Sequence, residues 1–376
     1  NTWRVGARVQ EESMGKEYDF FKDKGLHNES IDLGFNHKSG LFVNGGYTRN
    51  NHGGWQGDLT GREKRWHPKD QALMNGMFGF QNRNMNVWYR LDFLDEKIFG
   101  PNNGSELQPE KVSDKDFLTK RYTHQLQSDW KLDNRLDVHA ALSYQDYKRR
   151  TRTTESDLST GEKWLSSAEA SQDITQYKAW IARATVAWNI VPEFSIQPGV
   201  EYQWTQGEGG RIDGTPKVED LAFFLSAEYK PWEWLSLRPG VRTFIVADYD
   251  APIAIPSVLT KFKLTKHMDL RLSYAYGFRS PTLQELYFSF HNDNHDIDGN
   301  PDLKAEYSHN ITGSVAYRVL HSEKIHLTTT LSGFYNDFRD KISLAQNVDI
   351  PNYNTYYNID RYKTVGGSLE NSLSWG

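Results

Sequence analysis

The 376-residue chain contains no cysteine, which excludes a disulfide framework, a thiolate metal site and a cysteine nucleophile. It has no run of about 18 apolar residues, so no segment is a candidate transmembrane helix. That absence leaves transmembrane strands open, because lipid-facing and lumen-facing side chains alternate and the average stays polar. An excess of positive charge is also missing. The 44 Lys and Arg stand against 49 Asp and Glu, a net charge of −5, and this argues against nucleic acid or another general polyanion as partner. No GxSxG, HExxH, P-loop or GxGxxG occurs in a supporting context, so an enzyme is not expected. No signal peptide opens the chain at Asn1, and the pattern is still strand-like at Gly376. The expectation is a piece of a longer protein.

Period-two alternation in long runs is what the chain does have. Phe194, Ile196, Pro198, Val200, Tyr202 and Trp204 alternate with Ser195, Gln197, Gly199, Glu201 and Gln203. Leu221, Phe223, Leu225, Ala227 and Tyr229 form another such run, and so do Met85, Val87, Tyr89, Leu91 and Phe93. Strands of this length with one apolar face suit a membrane better than a small soluble sandwich. About 16 or 17 such runs are readable, more than most single sheets hold without closing or splitting.

Short and long connections take turns along the chain. Tight turns are expected at Ser39-Gly40, Asn82 to Asn84, Asp133-Asn134, Val191 to Glu193, Pro231 to Glu233 and Lys266 to Met268. Long polar loops are expected over Asn51 to Asp70, Leu94 to Asp116, Lys148 to Gln172, Gln206 to Lys217 and His291 to Ala305. Short turns at one end and long loops at the other describe an all-β fold, an up-and-down antiparallel transmembrane β-barrel with a functional rim. A weak repeat agrees: Phe194-Ser-Ile-Gln-Pro-Gly-Val200 matches Leu235-Ser-Leu-Arg-Pro-Gly-Val241, each just after a short turn. Trp188, Trp232, Trp234, Tyr274, Tyr276, Tyr317 and Tyr335 cluster near strand ends, as interfacial girdles do.

One stretch organises the rest. A strand over Leu270 to Phe278 breaks at Pro281, which has no N–H to donate and forces Ser280 to be extended. Thr282 to Phe290 reads as a helical turn or a strand. The loop that follows packs His291, Asp293, His295, Asp296 and Asp298 together. It is either well solvated or bound to something.

Tyr274-Ala-Tyr-Gly-Phe-Arg-Ser-Pro-Thr-Leu-Gln-Glu-Leu-Tyr287, followed by Gly299-Asn-Pro-Asp-Leu-Lys-Ala-Glu306, resembles TonB-dependent outer-membrane receptors. Ser332 to Asp337 and Tyr357 to Glu370 resemble the strands that come next in that family. The resemblance implies that residues 1–376 are part of a 22-stranded barrel, without the N-terminal plug that fills its lumen and without the last strands. It implies a location in the outer membrane of a Gram-negative bacterium and a function of capturing a scarce extracellular ligand for import driven by TonB through the plug. Outer-membrane lipid and lipopolysaccharide are implied partners, and a surface lipoprotein is another candidate.

Receptors for haem in this family are similar in carrying two boxes around a loop that holds a histidine ligand. Phe278, Arg279 and Pro281 stand in one box and Asn300, Pro301 and Leu303 in the other, with His291 and His295 between them. Ser280 and Asp302 depart from the family pattern at positions that supply no ligand atom. Imidazole is a normal axial ligand of haem iron, so haem is the expected ligand, with His291 and His295 as iron-ligand candidates. A siderophore or cobalamin remains the alternative within the family, and a passive porin-like channel the alternative outside it. Asp293, Asp296 and Asp298 also offer oxygen ligands for Ca²⁺. The boxes themselves are cast as loop-shaping: Pro281 and Pro301 fix φ, Gly299 supplies a positive φ, and Asp302 and Glu306 cap or pair locally. Arg149, Arg150 and Arg152 could meet an anion, and Trp55, Trp66 and His67 could cap a flat ligand or pack their own loop.

Overall fold

The computed structural model describes residues 1–20, 24–168, 171–247, 249, 251–292, 295–321, 325–348, 350 and 353–375. The side chains of residues 246, 247, 292, 295, 321 and 360 lie outside the described set. The first strands are β1 (Thr2–Glu12), β2 (Leu26–Asn36), β3 (Leu41–His52), β4 (Lys69–Gln81), β5 (Met85–Gly100) and β6 (Lys111–Lys131). Next come β7 (Leu136–Asp157), β8 (Lys163–Leu165), β9 (Ile174–Val191), β10 (Phe194–Glu208), β11 (Lys217–Trp232) and β12 (Leu235–Ala247). The chain continues through β13 (Ile255–Lys263), β14 (Met268–Arg279), helix α1 (Leu283–Tyr287), β15 (Ser289–Asn292) and β16 (His295–Asp298). It ends with β17 (Glu306–His321), β18 (Ile325–Gln346) and β19 (Tyr353–Trp375). Setting aside the short β8, β15 and β16, the long strands match the number read from alternation.

The described residues form two compact units. In the first, made of residues 1–130, 141–181 and 205–217, β1 to β6 pair in chain order as an antiparallel meander. The β2–β3 turn needs its glycine: Gly40 has φ +98°, and a Cβ there would overlap the Gln81 carbonyl oxygen. In the second, made of residues 131–140, 182–204 and 218–376, β11 to β14 pair in order, and β14, β17, β18 and β19 follow. The β15–β16 hairpin is inserted between β14 and β17, and β16 pairs in parallel with the start of β19.

The strands are dressed inside out relative to a soluble sheet. On β19, Val365 is 80% and Leu369 65% exposed. Their cross-strand neighbours Tyr335 and Leu331 are exposed too, as is Ile311 on β17. On β11 Phe223, Leu225, Tyr229 and Trp232 are exposed, while Ala222, the residue before Phe223, is buried. The opposite face carries the charges. Glu201, 7% exposed, accepts ion pairs from Arg183 and Arg242 at 2.8 Å each, and Asp269 is paired with Arg318 at 3.2 Å and Lys261 at 3.5 Å. Buried charge persists only when paired, and a continuous exposed apolar face needs a nonaqueous neighbour.

Several loop boundaries differ from the sequence reading: β6 already begins at Lys111, inside the expected Leu94 to Asp116 loop, and the expected His291 to Ala305 loop holds the end of β15 and all of β16. Strand β5 continues to Gly100 and β7 to Asp157, so the Leu94 and Lys148 loops begin later than their polarity suggests. The residues responsible are polar ones that pair across the sheet: Asp95 sits opposite Lys120, and Glu155 opposite Trp164. Likewise Pro231 and Trp232 belong to β11 rather than to the turn.

Candidate functional site

Strand β14 ends in Arg279, and its guanidinium joins two other elements. It donates to Glu306 through Nε and Nη2, at 2.8 Å each, and to Glu285 through Nη1 at 2.9 Å and Nη2 at 3.1 Å. Glu285 lies on α1 and Glu306 opens β17, so one planar fork ties the ends of β14 and β17 to the inserted helix. Glu306 also accepts from the Ile342 backbone N–H at 2.6 Å.

Helix α1 exists because Thr282 and Glu285 form a reciprocal capping box. The Glu285 N–H donates to the Thr282 hydroxyl at 3.2 Å, and the Thr282 N–H to the Glu285 carboxylate at 2.7 Å. Burial pushes the Glu285 carboxyl up, but the Arg279 guanidinium and the Thr282 donors outweigh it and hold the group below its ordinary value. The expected alternatives for Thr282 to Phe290 both occur, one helical turn and then a strand.

The second box packs beneath. Leu303, 4% exposed, forms an apolar core with Leu286 and Ile342, and Pro281 is fully buried. The Phe278 ring lies tilted against those of Phe244 and Tyr249, with centroids 5.0 and 5.7 Å away. Asn300 donates from Nδ2 to the Tyr356 carbonyl at 2.9 Å and accepts from the Asp302 N–H at 2.9 Å. Pro301 and Asp302 are exposed. Asn358 reaches in from β19, accepting from the Lys304 N–H at 2.9 Å and donating to its carbonyl at 3.0 Å.

Gly299 is required for a reason other than the expected one. It is not among the positive-φ glycines; a Cβ there would lie 2.6 Å from the Leu286 carbonyl and the Tyr287 nitrogen. The need is close backbone approach. Gly299→Ala should therefore push the hairpin off α1 at a cost of about 1–3 kcal/mol. The Gly299 and Asn300 amides, which donate to Phe288 at 2.6 Å and Glu285 at 2.8 Å, should exchange with solvent at least about tenfold faster. Unchanged exchange would refute the close-packing account.

His291 sits on β15 with a side chain 51% exposed. Its Nδ1 bonds to Asp296 at 2.5 Å, and its Nε2 lies 3.1 Å from both Asp298 and the Ser289 hydroxyl. Asp298 also accepts from the Tyr353 hydroxyl of β19 at 3.1 Å. The hydrogen bond to the Asp296 carboxylate, helped by the Asp298 charge, raises the His291 pKa above its ordinary value and outweighs the lowering by burial. The imidazolium contribution to hairpin stability is then full below 6.5 and is lost as pH rises through the raised folded value. In Asp296→Asn the midpoint of the His291 ring resonances should fall, and no change would contradict this pairing.

The backbone of His295 pairs with Asn292 across the hairpin; its side chain, and all of Asp293, lie outside the described residues. Among the described residues no group of three or more His, Asp or Glu is placed to hold a metal ion. Arg152 pairs with Asp116, and Arg149 lies over the Phe117 ring at 4.5 Å. Trp55 and Trp66 bridge through their backbones with rings 5.4 Å apart, and His52 adjoins Trp66, so that loop packs on itself.

Residues 197–376 match the family model described as TonB dependent receptor-like, beta-barrel. Over these residues the chain is similar to TonB-dependent receptor β-barrels. The matched residues include both boxes, the hairpin between them and the strands that carry the clamp. The hemoglobin and hemoglobin-haptoglobin-binding protein C of Haemophilus influenzae is 38% identical over 82 residues, 22% of this chain and 7% of that protein. The hemoglobin-binding protein A of the same organism is 31% identical over 118 residues, 28% of this chain and 11% of its own length. Among solved structures, the siderophore receptor PirA from Pseudomonas aeruginosa gives a TM-score of 0.73 at 13% identity, covering 100% of this chain and 67% of that one. The Serratia marcescens hemophore receptor HasR, solved with its hemophore HasA and heme, gives 0.69 at 12% identity, covering 99% and 61%. At such identities the structural likeness is one of fold. The sequence matches span a small part of the curated relatives' length.

Sequence reasoning named both boxes but missed Thr282 and Glu285, although Thr-x-x-Glu ahead of an apolar pair was the available signal. Tyr353 and Asn358 carried no such signal, because register over more than fifty residues brings Tyr353 to Asp298 of the hairpin and Asn358 to Lys304 after the second box.

Proposed function

We propose that the chain is the barrel part of an outer-membrane receptor that captures haem outside a Gram-negative cell for TonB-driven import, with no catalytic role. The observation that carries the reading is the hairpin between the two boxes, which presents His291 on an anchored scaffold. The likeness to haemoglobin-binding proteins supports the same ligand. In this proposal Asp296 keeps hold of Nδ1–H while Nε2 exchanges Asp298 for haem iron, the carboxylate–histidine arrangement that orients metal-bound imidazoles. His295 stands as the second candidate. The plug, the TonB complex and a surface lipoprotein belong to the same proposal as partners of the whole receptor.

Visible-absorption titration of the full-length receptor in detergent with haem tests this, beside His291→Ala and the His291→Ala/His295→Ala double variant. A saturable Soret shift in the parent that weakens in the variants is expected. Because iron takes the neutral ring, apparent affinity should rise with pH through the raised His291 pKa. A parent without a saturable shift would exclude haem and turn attention to siderophores and cobalamin.

A further inference from the structure

The first residues of β19 run alongside the second half of the hairpin. Asp296, Ile297 and Asp298 of β16 pair in parallel with Tyr353, Asn354 and Thr355. The Thr355 hydroxyl faces the Gly299 carbonyl at 3.5 Å, and Asn300 reaches the Tyr356 carbonyl at 2.9 Å. Backbone pairing between β15 and β16 closes the hairpin itself. These contacts dock it on β19 without help from the Tyr353 hydroxyl.

That hydroxyl instead meets a carboxylate shared between two elements. Asp298 accepts from it through Oδ2 at 3.1 Å, while its Oδ1 lies 3.1 Å from the His291 Nε2 on β15. Both ring nitrogens of His291 are engaged, and an imidazole ligates a metal only through a nitrogen that has given up its hydrogen. The two sides are unequal. Nδ1 has one short contact, to Asp296 at 2.5 Å, whereas Nε2 has two longer ones, to Asp298 and to the Ser289 hydroxyl, at 3.1 Å each. Nε2 is therefore the nitrogen that opens. The Ser289 hydroxyl is neutral and can rotate aside, so the charged partner is the one whose departure costs most. A carboxylate that loses one donor is better off when it keeps another, and the Tyr353 phenol, which can only donate to it, remains in place.

We infer that Asp298 closes the Nε2 of His291 in the ligand-free receptor, and that Tyr353 is a positioning residue that holds this carboxylate clear once haem iron has taken the nitrogen. The inference rests on the reading of haem as the ligand and His291 as its iron ligand. On binding, the Nε2–H bond breaks, its proton leaves to solvent, and the Nε2 lone pair forms the bond to iron. Asp298 exchanges the ring for water and keeps the Tyr353 hydroxyl. By sharing the carboxylate, the hydroxyl weakens its hold on His291 beforehand and leaves it with a partner afterwards. Both effects favour haem, and both act only through Asp298.

The first measurement needs no haem. In the ligand-free full-length receptor in detergent, diethyl pyrocarbonate should acylate His291 at least about fivefold faster in Asp298→Ala than in the parent, read by peptide mass mapping, because Nε2 loses its carboxylate cover. Visible-absorption titration with haem follows. Asp298→Ala should bind about three- to tenfold tighter than the parent, with Asp298→Asn between them, and Tyr353→Phe about threefold weaker with its Soret maximum unmoved. In the Asp298→Ala background, Tyr353→Phe should change nothing. An equal loss in both backgrounds would make Tyr353 a packing residue and overturn its positioning role. Unchanged acylation, or weaker haem binding by both Asp298 variants, would overturn the closure of Nε2. A Soret shift that does not depend on His291 would instead overturn the haem reading beneath the inference, whatever the acylation rate.

Discussion

Arg279→Ala should release the segment between β14 and β17 to proteases while the strands stay folded. The substitution leaves the Glu285 and Glu306 carboxylates, now paired at 2.8–3.1 Å, facing each other in a half-buried site without a cation. Removing one partner of a buried pair costs about 3–5 kcal/mol. Since the Arg279 side chain is 41% exposed, solvent screening reduces this to about 2–3 kcal/mol of local opening. Cleavage within residues 282–304 should accelerate by roughly 30- to 100-fold, if opening precedes cleavage. Arg279→Lys should fall between, because an ammonium cannot serve two carboxylates with a fork. The parent should show a related acid sensitivity. Glu285, depressed below 4.5, contributes stability that is present above that value and lost as pH falls through its lower folded pKa. Parent and variant cleaved at one rate would show that the clamp does not order the segment. Haem titration of the same variant should be affected less than that of His291→Ala.

Leu303→Ala is expected to have a comparable effect through packing. Leu303, Leu286 and Ile342 form the buried apolar cluster under the second box, with Val218, Tyr287 and Tyr356 against it. Truncation deletes buried methyl groups and leaves a cavity, at a cost of about 2–4 kcal/mol. Because α1 brings one member and β18 another, loss of this contact should loosen α1 and the hairpin together. Hydrogen exchange of the Leu286 amide, which donates to Thr282 at 3.1 Å, is the readout. Leu303→Met, which nearly conserves volume, should stay within about 1.5 kcal/mol of the parent. If both variants exchange like the parent, the cluster does not hold the helix down.

The two predictions concern the same short insertion, and they show how its parts divide. Arg279 fixes direction at the end of β14, Leu303 supplies apolar weight beneath, and Gly299 lets the backbone of the hairpin lie against α1. None of these side chains is placed as a ligand. His291 projects from the hairpin they anchor, which is why its loss and theirs should separate in a binding measurement.

The alternation of residues such as Phe223, Leu225 and Tyr229 by itself determined the strands, and the tight turns determined where most of them end. Both are local properties: a pleated strand has a period of two, and Gly40 or Pro192 acts within a few bonds. The family boxes, too, were legible as contiguous text. What only the tertiary structure decided depends on pairing over distance. It made Thr282 to Phe290 a capped turn followed by a strand, joined Arg279 to Glu306 across the insertion, and replaced a positive φ at Gly299 by a steric requirement. It also gave both nitrogens of His291 carboxylate partners, one of which Tyr353 steadies from β19. Those partners sit on opposite sides of loops and registers, and no local pattern encodes which strand arrives beside which; hydrogen-bond register and packing settle that only when the sheet has formed.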